Sequence, residues 1–114
     1  MATAAELGTE PRVAVPDFSL EGKTALVTGG SRGIGKAIAL ALASRGADVG
    51  ITCLTGCKFA EDVRGQIQDM GRRAEYFAHD VGDVDEVDKL ACEVNDTLGG
   101  VDILVNNAGI TRDR

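Results

Sequence analysis

The stretch "VTGGSRGIGKA", residues 27–37, places four glycines and two basic residues between two apolar runs. Glycine at this density lets a strand end in a sharp turn and lets the backbone approach a ligand closely. A helix beginning inside such a segment aims its first N–H groups, and the positive end of its dipole, at whatever lies over the turn. The segment therefore demands a buried strand before it, a helix after it and an anion-sized space above it.

The rest of the chain agrees with that demand. "TALVT" (24–28) is a short apolar run ending at glycine, a strand signal. From Ile34 to Arg45 the period turns helical, with Ile34, Ile38, Ala41 and Leu42 on one face and Gly46 as the stop. "ADVGITC" (47–53) reads as a second strand, and residues 57–70 as a helix carrying Phe59, Val63, Ile67 and Met70 at helical spacing. "AEYFAHD" (74–80) is a third strand. Asp83 opens a third helix with Glu86 at capping-box spacing. The apolar stripe of that helix is Val84, Val87, Leu90, Ala91, Val94 and Leu98, closed by Gly99-Gly100, and "VDILVNN" (101–107) is the fourth strand. The order β-α-β-α-β-α-β with short connections predicts an α/β fold, a doubly wound parallel sheet of Rossmann type. Its crevice lies beyond the carboxyl ends of the strands, which is where the glycine loop, Asp80 and the turn after the fourth strand all fall.

Two phosphate-binding patterns compete for the loop. Gly30, Gly35 and Lys36 fit G-x-x-x-x-G-K-[ST], but residue 37 is Ala, so the hydroxyl that would bind magnesium is missing. The dinucleotide reading needs no such atom. Gly29 permits the turn off the strand, Gly33 the approach of the pyrophosphate, and Gly35 the close packing of the helix.

Three patterns stand in register: T-G-x-x-x-G-I-G from Thr28, Asp80-Val81 after the third strand, and Asn106-Asn107-Ala108-Gly109 after the fourth. Together they resemble the short-chain dehydrogenase/reductase family, from about Leu20 onward. "VDILVNNAGITRD" is similar to its β-ketoacyl-[acyl carrier protein] reductase branch. The resemblance implies strand order 3-2-1-4 and hydride transfer between a nicotinamide cofactor and a carbonyl carbon. It implies that Gly29, Ser31, Arg32, Gly33, Ile34 and Gly35 line the pyrophosphate and adenosine ribose. Asp80 would accept from the adenine amino group with Val81 beside the ring, and Asn107, Ala108 and Gly109 would pass under the adenosine. It also implies a small-molecule or acyl-carrier-linked substrate and a homo-oligomer.

The choice of nicotinamide can be argued from the second strand. A partner for a free ribose 2′-hydroxyl would be an acid about 20 residues past the glycines. Cys53-Leu54-Thr55 stands there instead, and Asp48 is at the wrong end of the strand. Arg32 and Lys58 are the cations that could face a 2′-phosphate, so NADP(H) is expected.

The family's Ser, Tyr, Lys and Asn belong to segments after the N-N-A-G strand, and the 114 residues stop five after Gly109. The single tyrosine, Tyr76, has Asp80 four residues on where a lysine would be needed. No catalytic residue is expected in this chain, and the fourth strand should show a bare edge. The domain reading is a flexible arm over 1–20 and an incomplete NADP-binding Rossmann half-domain over 21–114. The alternative is a non-catalytic nucleotide-binding or interaction module ending naturally at Arg114.

Composition narrows the partners. A net charge of −6 without a basic cluster disfavours nucleic acid and anionic membrane. No apolar run nears the ~20 residues of a membrane span, and the N-terminus lacks the pattern of a secretory signal. Cys53, Cys57 and Cys92, an odd and scattered set, read as small buried residues in a reducing, cytoplasmic setting. With one histidine in the chain, no metal site is expected.

Overall fold

Short runs rich in apolar, β-branched or aromatic residues become the strands, and the glycine-bounded amphipathic segments between them become the helices. The computed structural model describes residues 19–54 and 57–108. Within them lie β1 (Thr24–Val27), α1 (Gly33–Ser44), β2 (Asp48–Cys53), α2 (Lys58–Asp69), β3 (Ala74–Ala78), α3 (Val84–Leu98) and β4 (Ile103–Val105). All pairings are parallel and the sheet order is β3-β2-β1-β4, the order 3-2-1-4 that the resemblance implies.

Alternation along the strands sorts the core into two layers. Val27, Val49 and Ile51 face α1 and α2, where they meet Ala39, Ala43, Ala60, Val63 and Ile67. Leu26 and Phe77 face the other way, toward Leu90 and Val94 of α3, with Leu98 packed beside them. Gly50 makes room for this second layer, since a Cβ there would stand 2.9 Å from Leu98 Cδ1 and 3.1 Å from Phe77 Cε2.

Helix faces differ from the periodic reading in an instructive way. The buried stripe of α1 is Gly35, Ala39 and Ala43, not the face expected from Ile34 and Ala41; Ile34 is 64% exposed. Small residues four apart let the helix axis approach the sheet, and the larger Ile38 and Leu42 flank that seam half-buried. In α2, Ala60 takes the core position that Phe59 was expected to fill, leaving Phe59 43% exposed. Val84 and Ala91 of the expected α3 stripe are also exposed.

Asp83 caps α3 as expected, its Oδ1 accepting from the Asp85 amide at 2.9 Å. The return half of the capping box does not form. The Asp83 amide donates to the Asp80 carbonyl, and Glu86 turns to His79 instead. Gly99, at φ 81°, ends the helix in the left-handed conformation with its amide on the Asn95 carbonyl.

The cysteine reading needs correction. Cys53 is buried, but it is bonded to Cys57, and Cys92 is exposed. The N-cap of α2, Cys57, stands beside the last residue of β2, with a Cα separation of 5.8 Å that suits a disulfide. Linear spacing gives no sign of that approach. The arm expected over 1–20 lies outside the described residues except for its last two. Of these, Leu20 belongs to the fold, its amide donating to the Arg45 carbonyl at 2.7 Å.

β4 pairs with β1 through Leu26↔Leu104 and forms one edge of the sheet. Leu104 of this strand is 63% exposed. No helix among the described residues is long and apolar enough to cross a membrane, and they contain no group of three metal-ligating side chains.

Candidate functional site

β1 ends at Val27, and the loop from Thr28 to Arg32 carries the chain from its carboxyl end into α1. Gly29 (φ 67°) and Gly33 (φ 59°) both adopt backbone that favours glycine. Their surroundings differ. A Cβ on Gly29 would lie 3.2 Å from the Ala108 Cα and from Asn107 Nδ2, whereas a Cβ on Gly33 would meet nothing within 4 Å. Gly33 is thus a left-handed residue facing open space at the start of a helix.

Gly35 has a second job beside the close packing of α1 on the sheet. Any side chain there would collide with the Gly29 carbonyl and with Asn107 Nδ2, so Gly35 closes the loop onto itself. The dinucleotide pattern gives no role to Gly30, where a Cβ would stand 2.5 Å from Ile51 Cγ2. The sequence reading passed over Thr52, whose hydroxyl oxygen accepts from the Gly29 amide at 2.9 Å. Mid-strand threonine reads as an ordinary strand former, and only the loop's fold over β2 reveals the bond.

Thr28 is the junction of the site. Its hydroxyl oxygen accepts from the Asn107 amide (2.9 Å) and the Ala108 amide (3.0 Å). Asn107, 1% exposed, donates from Nδ2 to the Gly29 carbonyl at 3.2 Å. Its Oδ1 is buried without a hydrogen-bond partner among the described residues. The turn after β4 and the glycine loop are therefore one hydrogen-bonded unit. Gly109 lies outside the described residues.

Asp80 follows β3 on the same edge. Its Oδ1 accepts from the Gly82 amide at 2.9 Å, an Asx turn that orients the carboxylate and leaves Oδ2 for a further donor. Val81 packs against the Leu26–Phe77–Leu90–Val94 cluster, which ties this turn to the core. Ser31 is half-buried in the loop, and Arg32, Gly33 and Ile34 are exposed along its rim. The predicted residues that are described thus converge on one sheet edge, from the segments that follow β1, β3 and β4.

Next to this turn, His79 is clamped between two carboxylates of α3, with Nδ1 2.7 Å from Glu86 and Nε2 3.1 Å from Glu93. The hydrogen bond to Glu86 raises its pKa, opposed by burial and assisted by Glu93. A histidine raised above its unfolded value of about 6.5 contributes stability that is complete below that pH and is lost as pH climbs through the folded value. His79→Gln should therefore lower Tm more at pH 5.5 than at pH 8.5. A gap of constant size across that range would exclude the charged clamp.

Tyr76 stands elsewhere, its hydroxyl donating to Glu61 of α2 at 2.8 Å. That bond pushes its pKa up, away from the range useful for proton transfer near neutrality.

The geometry bears on ligand chemistry directly. A left-handed glycine with open space above it, at a helix start, fits an anionic group held by backbone amides. Arg32 carries the cation beside it: it precedes α1 with extended backbone, and its Cζ lies 5.1 Å from the centroid of Phe59 in α2. Lys58 is the first residue of α2. At the far end of β2, Asp48 is engaged by the Arg73 amide at 2.9 Å, so no carboxylate of this strand serves the site.

The fold defines an α/β protein of the Rossmann-like class. The model of the short chain dehydrogenase family matches residues 23–114, and the chain belongs to that family. It is 47% identical over 97 residues to the 3-oxoacyl-[acyl-carrier-protein] reductase FabG of Vibrio harveyi, and 50% identical over 96 residues to that of Vibrio cholerae. Each alignment takes in 84% of this chain, which spans 38% of the relative's length. Among solved structures it resembles a dehydrogenase/reductase from Sinorhizobium meliloti 1021, with 46% identity and a TM-score of 0.74 over 77% of this chain and 35% of that one. Pseudomonas aeruginosa RhlG, in an active-site complex with NADP, is 36% identical at a TM-score of 0.73, over 82% of this chain and 37% of its own.

Proposed function

We propose that the chain supplies the NADP(H)-binding part of a short-chain oxidoreductase that reduces a carbonyl, with a 3-oxoacyl thioester as substrate. The observation that carries the cofactor reading is the pairing of an open, left-handed Gly33 with the Arg32 cation, in the loop after β1, while the acid of the neighbouring β2, Asp48, lies at that strand's opposite end. The substrate reading rests on the likeness to the two FabG reductases.

In this reading the loop amides around Ser31–Ile34 and the dipole of α1 hold the pyrophosphate. Arg32, which meets Phe59 next to Lys58 at the start of α2, faces the ribose 2′-phosphate. Asp80 Oδ2 accepts from the adenine amino group, with Oδ1 fixed by Gly82. Thr28 and Asn107 lock the loop to the turn after β4, so the adenosine floor keeps its shape without being reordered on binding. Bound nicotinamide dinucleotide would supply the hydride. The contribution of these residues is to bind and orient it.

Titration separates the two nicotinamides. Arg32→Ala should weaken NADPH binding by ~1.5–3 kcal/mol, the scale of a hydrogen bond to a charged group, and leave NADH binding nearly unchanged. Equal losses for both would remove Arg32 from the 2′-phosphate.

A further inference from the structure

Phe59 occupies a helix position whose period points to the core, yet it stands 43% exposed at the first turn of α2. Its neighbour Ala60 is fully buried and does the packing. The ring is not idle, because the Arg32 guanidinium lies over it. We propose that Phe59 is a positioning residue for Arg32, and that the ring sets how strongly this chain prefers a nucleotide carrying a ribose 2′-phosphate. The proposal rests on the NADP(H) reading above.

Four observations point the same way. Arg32 has no carboxylate partner among the described residues, so the ring is what locates its charge. An aromatic partner occupies the face of a guanidinium and leaves the in-plane N–H groups free, whereas a carboxylate would consume them. The acid nearest in the first turn of α2, Glu61, is taken by the Tyr76 hydroxyl and does not compete for Arg32. Finally, the base of the ring is anchored on both sides: Cys57 is tied to Cys53 at the end of β2, and Ala60 is locked in the core. The long arginine is the mobile partner, and the ring restricts where its head can go. Arg32 also reaches α2 from the α1 side, which bridges the end of β2 where a 2′ substituent would lie.

An exposed cation–π contact of this kind corresponds to about a two- to five-fold change in equilibrium. The experiment is calorimetric titration of the 114-residue chain, as wild type, F59L, F59W, R32A and the F59L/R32A pair, with NADP and with NAD. F59L should weaken NADP two- to five-fold and leave NAD unchanged. F59W should retain wild-type preference, and F59L should add nothing once Arg32 is gone. Equal loss for both nucleotides in F59L, or the same NADP loss in the R32A background, overturns the positioning role. Wild-type chain that binds NADP no better than NAD, or binds neither, overturns the cofactor reading and the preference with it. The contact itself is read separately by NMR. Upfield ring-current shifts of the Arg32 δ-methylene protons should be present in wild type and lost in F59L, and their absence in wild type refutes the contact whatever the titrations give.

Discussion

The 114-residue polypeptide, purified at its intact mass and given NADPH with a 3-oxoacyl thioester, is expected to show no turnover above background. Carbonyl reduction needs a proton delivered to the developing alkoxide by an acid whose pKa lies near the working pH. The only tyrosine is Tyr76, and its hydroxyl is spent on Glu61, which raises its pKa rather than lowering it. Four residues on stands Asp80, not a lysine. Loss of a positioned general acid alone removes ~10²–10⁴ in rate. NADPH oxidation at an ordinary reductase rate, abolished by Tyr76→Phe, would overturn both the reading of Tyr76 and the assignment of this chain to cofactor binding.

The second large effect is expected from Gly33→Val. The left-handed backbone at φ 59° costs a non-glycine residue ~1–2 kcal/mol, and more for a β-branched one, but the side chain meets nothing within 4 Å. The variant should therefore fold, with a modestly lower Tm and unchanged circular dichroism. The open space it fills is where the pyrophosphate would approach. Displacing that group forfeits charge-assisted hydrogen bonds of ~1.5–3 kcal/mol each, so the loss of two lowers affinity by about 100-fold or more. A folded Gly33→Val protein that binds NADPH as wild type does would show that the loop holds something else.

The succession of strands and helices was legible because each element carries its own period and its own glycine stop, whereas the order of strands within the sheet came from the family resemblance. The loop was legible for the same local reason. What escaped the sequence reading depends on contacts between distant segments. Gly30 is required by Ile51, Thr52 by the Gly29 amide, and Thr28 by the turn almost 80 residues later. Phe59 was assigned to the core because its spacing with Val63 fits a stripe. A helix seated through Ala60 rotates that stripe, and one residue's shift is enough to expose the ring. The disulfide escaped because C-x-x-x-C is silent until a strand-to-helix turn folds it back.

The sheet order carries a consequence for how the chain acquires its shape. Among the described residues β1 is the first strand, yet one of its two neighbours, β4, is the last. The Thr24–Asp102 contact that secures this pair spans 78 residues. During synthesis β1, β2 and β3 can pair as soon as they emerge, while the other flank of β1 waits for nearly everything that follows. Closing so long a loop costs chain entropy before any pairing repays it, so this step belongs late in folding. The Thr28–Asn107 junction forms in that same step. The edge that carries the glycine loop is therefore assembled last, and until then β1 presents an open flank to the solvent and to other chains.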